Sequence, residues 1–287
     1  MKNMKNGVPV NSEPVAHRSD EYDPAGFDML LRMQEKHFWY RGRRRFLLHA
    51  VRRWAGAGKA GAGPVRAVDL GGGCGGWVAY FHRRSPVTLA ELALADSSSR
   101  ALELAAPLLP PDVSRYQVDL LRLPWESRWD MIFLLDVLEH IPQDRQALAE
   151  VHRALAPGGL VFITVPALQC FWTWNDVVAH HQRRYSRIDL RRLADQCGFE
   201  VLDARYFMFF LSPLLWLSRA WTGRKARALS EAETRRLAER MHRVPIWPVN
   251  AILTAVFFAE TPLGHLVRFP WRTSVLGIFR RPRCESL

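Results

Sequence analysis

The stretch AVDLGGGCGGW, residues 67–77, places five glycines in six consecutive positions directly after a short apolar run. The apolar run 65–70 is typical of a buried strand, and the residues after Gly76 can begin a helix. Glycine lets the backbone adopt positive φ and lets another molecule approach the main chain closely. A strand, a glycine turn and a helix in this order predict an α/β unit that holds a ligand near the helix N-terminus.

The glycine spacing fits two patterns. Gly71, Gly73 and Gly76 satisfy the dinucleotide-binding pattern G-x-G-x-x-G. Asp69, Gly71, Gly73 and Gly75 satisfy D-x-G-x-G-x-G, which resembles motif I of class I S-adenosylmethionine (SAM) methyltransferases. The glycines alone leave both interpretations open.

Strand-like and helical segments alternate from residue 65 onwards. This alternation predicts an α/β fold with a mostly parallel, seven-stranded sheet and helices on both faces. Ligands in such sheets lie at the carboxyl ends of the strands. The strand-like segments are 65–70, 89–95, 116–118, 131–135, 160–165, 200–208 and 273–279, and the helical ones are 76–84, 98–108, 145–155 and 188–197. The Pro-Gly-Gly sequence at 157–159 predicts a turn between the last of the central helices and the strand that follows it.

The sequence also predicts the organisation of the chain. Residues 1–22 lack the apolar run of a signal peptide and are expected to form a mobile tail, followed by an N-terminal helical cap over 23–60. A Rossmann-like core is expected over 61–210, and the last strand and tail over 271–287. About 60 residues separate the last two strands, too many for a plain connection, so 211–270 is predicted to be a helical insertion. Its middle, 219–243, carries eight Lys/Arg and three Asp/Glu.

The charge and the cysteine content indicate which partners and which cellular compartment to expect. The net charge of +12 favours an acidic substrate, an anionic membrane or nucleic acid as a partner, or simply a solvated basic surface. Four scattered cysteines argue against a disulfide framework and fit a reducing cytoplasm. No apolar stretch reaches the ~20 residues of a membrane span, and the uncharged, largely apolar run 244–259 falls short of that length. We expect a cytoplasmic protein and leave peripheral membrane contact open.

Acidic residues follow several predicted strands. Asp96 lies 20 residues after Gly76, where a carboxylate can accept hydrogen bonds from both hydroxyls of a ribose, in NAD as well as in SAM. Asp119 ends the next strand and could accept a hydrogen bond from an adenine amino group. The strand after it ends in Asp136, Glu139 and His140.

Five segments in register resemble class I SAM-dependent methyltransferases over about residues 65–205 and again at the last strand. They are DLGGGCGG, LADSSSRALELA, YQVDLLRLP, WDMIFLLDVLEHI and LAPGGLVFITVPAL. HFWYRGRRR and WNDVVAHHQRRYS further resemble a bacterial subgroup of these enzymes. Asp176, His181, Arg183, Arg184 and Tyr185 hold the subgroup's positions, whereas Asn175 replaces its first His. The resemblance implies a Rossmann-like methyltransferase fold with SAM as the cofactor.

The resemblance also implies which residues bind the cofactor. Asp69, Gly71, Gly72 and Gly73 would face the methionine part, Asp96 the ribose, and Ser97, Asp119 and Leu120 the adenine, while Asp136 and Val137 would line the pocket under the sulfonium. From HFWYRGRRR we add Tyr40 and Arg44, because an aromatic block with arginines can hold a carboxylate.

Three residues are candidates for a general base: His140, His181 and Glu139. Histidine titrates near neutrality, and His181 lies in a segment that could cover the pocket as a lid. Either histidine could instead have a purely structural role. Asp136, Glu139 and His140, with His180 or His181, could also ligate a divalent cation. Since the same residues can be structural, we predict no metal.

The acceptor has to be inferred from the insertion, which is rich in Phe, Leu, Trp and Pro. These residues favour a small hydrophobic acceptor, such as a lipid, polyketide, terpenoid or prenyl-linked molecule, although they could equally form a homo-oligomer interface.

Three alternative functions remain. A SAM-fold binding partner or SAM-assisted cyclase needs the same pocket. An RNA methyltransferase would explain the charge, but no RNA-binding module is evident and nucleic acid is not expected. An NAD oxidoreductase leaves 130–165 unexplained.

Overall fold

The structure is a computed structural model that describes residues 4–5, 8–9, 15, 17, 26–56, 63–214, 216–217, 233 and 243–283. A seven-stranded sheet with strand order β5-β4-β3-β6-β7-β9-β8 forms its centre, and a separate ribbon pairs β1 with β2. Only β9 runs antiparallel to its neighbours in the large sheet. The strands are β1 Met4–Lys5, β2 Val8–Pro9, β3 Val65–Leu70, β4 Leu89–Asp96, β5 Ser114–Gln117, β6 Trp129–Leu135, β7 Leu155–Pro166, β8 Glu200–Phe207 and β9 Ser274–Arg280. The predicted fold class is confirmed.

Helices cover both faces of the sheet. They are α1 Gly26–Met33, α2 Phe38–Ala55, α3 Gly76–Arg84, α4 Ser99–Ala105, α5 Asp144–Ala154, α6 Trp174–Val178, α7 Arg187–Gln196 and α8 Trp247–Leu266, with 3-10 turns at Ala106–Leu108, Leu138–His140 and Gln169–Phe171. Strand side chains alternate between two cores: Phe133 faces the side of α2 and α3, and Ile132 the side of α5 and α7. The buried, apolar β6 is thus covered on both sides, as expected for a parallel sheet.

The N-terminal helical segment consists of two helices. The break lies between α1 and α2, and the His37 side chain caps α2 by accepting a hydrogen bond from the Trp39 N–H at 3.2 Å. Further along α2, a Cβ on Gly42 would lie 2.0 Å from the Phe257 ring of α8. Glycine at this position therefore lets α8 pack directly on α2.

One predicted turn is part of a strand. Residues 157–159 lie inside β7, where Leu155 pairs with Trp129 and Leu160 pairs with Met131. The extra residues form an irregularity in the ladder, and Gly158 adopts φ +82°. A sequence pattern reads Pro-Gly-Gly as a turn because it cannot show that pairing resumes on both sides.

Part of the predicted N-terminal tail has described contacts. Within residues 1–22, β1 pairs with β2, and His17 Nδ1 lies 2.8 Å from Ser97 Oγ. The basic stretch 219–243 lies almost entirely outside the described residues. The domain boundaries stay predictions.

Helix α8 is longer than the uncharged run 244–259, because the helix continues past Glu260 to Leu266. Among the described residues, α8 is the one helix long and apolar enough to cross a membrane by length and composition, with 39% of its apolar window buried. The expectation that no segment reaches that length is wrong. Because buried core helices meet the same criterion, the finding by itself is weak evidence for a span.

Candidate functional site

The glycine loop between β3 and α3 needs its glycines for two reasons. Gly71, Gly73 and Gly75 adopt φ of +67°, +54° and +72°, which strains any residue with a side chain. At Gly72 a Cβ would lie 2.5 Å from Asp69 Oδ2. The loop therefore presents bare main chain to the cleft, with no side chains of its own at Gly71, Gly72 and Gly73.

Asp96, at the end of β4, fastens this loop. Its Oδ2 accepts a hydrogen bond from the Gly73 N–H at 2.9 Å, and its Oδ1 accepts one from the Ser98 N–H at 2.9 Å. Ser98, not Asp96, is the N-cap of α4. Burial raises the pKa of Asp96, while these N–H groups oppose the rise. Because a carboxylate has about four lone-pair positions, Asp96 can still accept bonds from a ligand.

Two buried groups of opposite charge border the loop. Asp69 Oδ1 and Arg44 Nη2 have no hydrogen-bond partner among the described residues. Burial raises the pKa of Asp69 to about 8 and lowers the pKa of Arg44 to about 10. Since an unpaired buried polar group is costly, this pair fits a ligand that carries both an ammonium and a carboxylate group.

Asp136 follows β6 in a strained conformation, with φ +57°. Its N–H donates to the Thr164 carbonyl at 2.7 Å, and its Oδ2 forms an ion pair with Arg43 Nη1. The Arg43 guanidinium carbon also lies 4.6 Å from the centre of the Trp39 ring and 5.3 Å from that of Tyr40. Burial raises the pKa of Asp136, and Arg43 opposes the rise.

Sequence reasoning missed Arg43. The arginine block of HFWYRGRRR was recognised as an anion-binding element, but nothing in the one-dimensional pattern separates Arg43 from Arg44. The helical register of α2 separates them, because it directs Arg43 towards Asp136 and Arg44 towards the start of α3, where a Cβ on Gly76 would lie 2.5 Å from Arg44 Nη2.

His181 is held by a buried carboxylate. Its Nδ1 lies 2.9 Å from Oδ1 of Asp176, which also accepts a bond from Arg184 Nε at 2.8 Å. The Asp176 Oδ2 accepts from Arg184 Nη2 at 3.0 Å and from the Thr173 N–H at 2.7 Å. Burial acts to raise the pKa of Asp176, but the bond from His181 and the charge of Arg184 outweigh it and lower the pKa to about 2.

An ionised Asp176 selects one tautomer of His181. The carboxylate accepts from an N–H at Nδ1, which leaves the lone pair on Nε2. The arrangement is that of a histidine oriented for proton transfer. Sequence reasoning noted Asp176 as a position shared with the subgroup but gave it no role. The signal was the spacing of five residues between Asp176 and His181 across a short capped helix, α6.

Glu139 is buried beside this pair. Burial and the neighbouring Asp136 raise its pKa well above the usual value, and its Oε2 has no hydrogen-bond partner among the described residues. The His140 and His181 rings lie 4.8 Å apart, edge to face. Glu139, His140 and His181 each offer a ligand atom, and these atoms lie within 4.8 Å of one another. The trio could hold a divalent cation.

All predicted site residues line one cavity of about 1740 Å³. The Ser97 carbonyl accepts from Gln117 Nε2 at 3.0 Å, and Asp119 Oδ1 accepts from the Leu121 N–H at 2.9 Å, so these two residues shape one end of it. Its apolar wall comprises Met29, Leu30, Met33, Trp39, Met208, Leu214 and Leu253.

Comparison with known proteins supports the methyltransferase family that the sequence resembles. A family model described as a methyltransferase domain matches residues 38–204. A probable chloroplastic tocopherol O-methyltransferase of Oryza sativa subsp. japonica is 26% identical over 213 residues, which make up 73% of this chain and 53% of that protein. A trans-aconitate 2-methyltransferase of Methylobacterium nodulans is 34% identical over 105 residues, 37% of this chain and 40% of that protein. This chain thus covers about half or less of these curated relatives.

Among solved structures, the N-methyltransferase NodS of Bradyrhizobium japonicum WM9, in complex with S-adenosyl-L-homocysteine, is similar with a TM-score of 0.53. The two sequences are 15% identical, and the similarity covers 92% of this chain and 100% of that one. At this identity the likeness concerns the fold.

Proposed function

This chain belongs to the methyltransferase-domain family, and from that premise we propose that it transfers a methyl group from SAM to a small hydrophobic acceptor. The observation that carries the proposal is the shared cavity. Its lining brings the glycine loop, Asp69 and Arg44 together with a set of apolar side chains, and His181 borders the same space.

The polar part of the lining fits SAM. Asp69 and Arg44, both buried with an unpaired atom, match the ammonium and carboxylate of a methionine moiety. The bare backbone of the loop makes room for that moiety, and Asp96 holds the ribose hydroxyls. Ser97, Asp119 and Leu120 enclose the adenine, and Val137 packs against the loop at Gly71.

Bound SAM supplies a methyl group that is already activated on a sulfonium. The protein has to bring the acceptor atom in line at about 3 Å and keep water out. His181 accepts the acceptor's proton at Nε2, while Asp176 stabilises the resulting imidazolium through Nδ1–H. Asp136, neutralised by Arg43, borders the reacting groups without adding a net charge.

The acceptor is small and hydrophobic because the apolar part of the cavity lining consists of methionine, leucine and tryptophan side chains. A lipid, polyketide, terpenoid or prenyl-linked molecule with an acidic hydroxyl or carbon suits this wall. A nucleic acid does not suit this wall, because the methionine, leucine and tryptophan side chains offer no positive charge to its phosphates.

An acceptor screen tests the proposal. Formation of S-adenosyl-L-homocysteine is measured with purified protein, SAM and a panel that includes prenylated phenols, fatty acids, polar carboxylic acids and total RNA. We expect turnover with hydrophobic acceptors and none with RNA. Turnover with RNA or only with polar acids would contradict the acceptor class, and SAM binding without methyl transfer to any of them would favour a binding or cyclase role.

A further inference from the structure

The apolar and polar sides of helix α8 are placed in the reverse of the usual arrangement for a surface helix. Its solvent-facing side is apolar, with Trp247, Ile252 and Leu266 exposed to 82%, 63% and 79%. The outward positions recur every three or four residues and form one stripe: Pro248, Ile252, Ala255, Ala259, Leu263 and Leu266. An ordinary surface helix places its apolar stripe on the core and its polar residues in water.

The polar residues of α8 lie on its buried side and are all engaged. The Glu260 and Arg272 side chains, both 0% exposed, form an ion pair, and Glu260 Oε2 also accepts from the Phe210 N–H at 3.0 Å. His265 Nε2 lies 3.0 Å from the Phe46 carbonyl. Asn250 accepts from the Phe38 N–H at 2.9 Å.

These contacts determine which way the helix faces. Rotating α8 to bury its apolar stripe would expose Glu260 and break the bonds to α2, so the outward apolar face is a stable property of the fold. The same contacts tie one whole side of α8 to the protein. The helix can therefore lie on a bilayer but cannot be surrounded by one.

The surroundings of the stripe are basic. Between Arg243 and Arg268, both exposed, the only charged residue in the sequence is the buried Glu260. Beside α8, the α2 residues Arg41, Arg45 and Arg52 share one helical face, and the guanidinium carbon of Arg45 lies 4.6 Å from the centre of the Phe258 ring. An apolar strip bordered by arginines complements a surface of acyl chains beneath anionic headgroups.

The apolar surface continues beyond the helix to the cavity. Phe210, Leu214, Trp216, Leu217 and Trp271 are also exposed. Leu214 lines the cavity as well, as do Val244 and Pro245 at the start of the segment that leads into α8. The N-terminal end of the strip thus lies next to part of the cavity lining.

We propose that the outward face of α8 docks on an anionic lipid bilayer. Trp247 inserts at the headgroup level, Ile252, Leu263 and Leu266 dip into the acyl boundary, and the α2 arginines contact the headgroups. In this orientation the part of the cavity lining next to the strip lies near the bilayer. Delivery of a lipid-dissolved acceptor rests on the proposed function, whereas the docking itself does not.

Vesicle flotation tests the docking without any turnover. The full chain is mixed with phosphatidylcholine vesicles or with vesicles that also contain phosphatidylglycerol, at low and high salt. We expect binding to the anionic vesicles that weakens with salt. The Ile252→Asp/Leu266→Asp variant should partition at least about 10-fold less, because two acyl-facing groups become charged. Arg52→Glu should weaken binding to anionic vesicles only.

The matched control is Ile188→Asp on α7, where an isoleucine of similar exposure, 65%, lies outside the strip. It should float like the wild type, and SAM affinity measured by calorimetry shows whether each variant is folded. Failure of the wild type to bind either vesicle would overturn the proposal, as would equal binding by the double variant.

Two further outcomes would replace the proposal. Self-association in sedimentation equilibrium that the Ile252→Asp/Leu266→Asp variant abolishes, without vesicle binding, would make the strip a homo-oligomer interface. Resistance of the vesicle-bound protein to alkaline carbonate extraction would make α8 a membrane-inserted helix. Vesicle binding without methyl transfer to any acceptor would leave the docking standing and overturn only the proposed function.

Discussion

Arg43 on α2 and Asp136 at the end of β6 form an ion pair across 93 residues of sequence. The pair fastens the N-terminal helices to the strand end where the reacting groups meet. Without Arg43, the Asp136 carboxylate would stand unpaired beside the buried Glu139, and its raised pKa would rise further.

Arg43→Gln should therefore lower the free energy of unfolding by about 3 kcal/mol and reduce turnover, because breaking a buried pair leaves an uncompensated charge. Urea denaturation measures the loss. Asp136→Asn in the same chain should recover part of that stability, since the orphaned charge is then gone. Arg41→Gln, an exposed neighbour, should change stability little. Equal losses of stability in Arg43→Gln and Arg41→Gln would refute a specific role for the ion pair.

Asp96→Asn should weaken SAM binding by about 100-fold, because the amide offers one acceptor where two charge-assisted bonds to the ribose are needed. Calorimetry with SAM, and with NAD as a control ligand, measures this. Asp112→Asn on the exposed surface should bind SAM like the wild type. NAD binding by the wild type with no SAM binding would instead favour the dinucleotide interpretation of the glycine loop.

His181→Gln should lower kcat by about 100-fold or more and leave the affinity for SAM unchanged, as expected for loss of a general base. The adjacent, exposed His180→Gln is the matched control and should keep most of its activity. A change in SAM affinity with kcat intact would assign His181 a binding role. Asp176→Asn should also lower kcat, since Nδ1 loses its ionised partner.

Removal of metal should not affect turnover. Although Glu139, His140 and His181 could hold a cation, the His181 Nδ1 already has Asp176 as its partner, and burial raises the pKa of Glu139 well above its usual value, which disfavours an ionised ligand. Activity after dialysis against EDTA, together with metal analysis of the purified protein, measures this. Loss of activity that Mg²⁺, Mn²⁺ or Zn²⁺ restores would show that the prediction of no metal is wrong.

Stability without cofactor should depend on Asp69. A carboxyl group whose folded pKa lies above its unfolded value stabilises the fold below the unfolded pKa, and the contribution disappears as the pH rises through the folded pKa. For Asp69 this window runs from 3.8 to about 8. Asp69→Asn should raise Tm by about 5 °C at pH 8 and by less at pH 5.

Thermal denaturation at the two pH values, without SAM, measures this effect. The exposed Asp195→Asn should show no such pH dependence. A Tm difference that is the same at both pH values would mean that the Asp69 carboxyl is not the group responsible. The Asp69→Asn variant should also bind SAM more weakly, because the ammonium of the cofactor loses its counter-charge.

Local patterns in the sequence were sufficient for the order of strands and helices, the glycine loop and the acidic residues at strand ends. The family resemblance they supported is confirmed by the family model over residues 38–204. These features are local because strand period, glycine spacing and strand ends each depend on a few adjacent residues. The prediction of a turn at 157–159 is wrong because a local pattern cannot show pairing with a distant strand. The residues on both sides of that segment pair with β6.

A parallel α/β sheet, a bare loop after its first long strand and the polar residues at the carboxyl ends of the strands can all be predicted from the sequence. Three features become visible in the folded chain alone: which arginine meets Asp136, that Asp176 orients His181, and that α8 turns its apolar side outward. Each of these depends on side chains from distant parts of the chain meeting in space. A 3.6-residue period reveals that a helix has two sides, but the buried partners of Glu260 and His265 decide which side the protein covers.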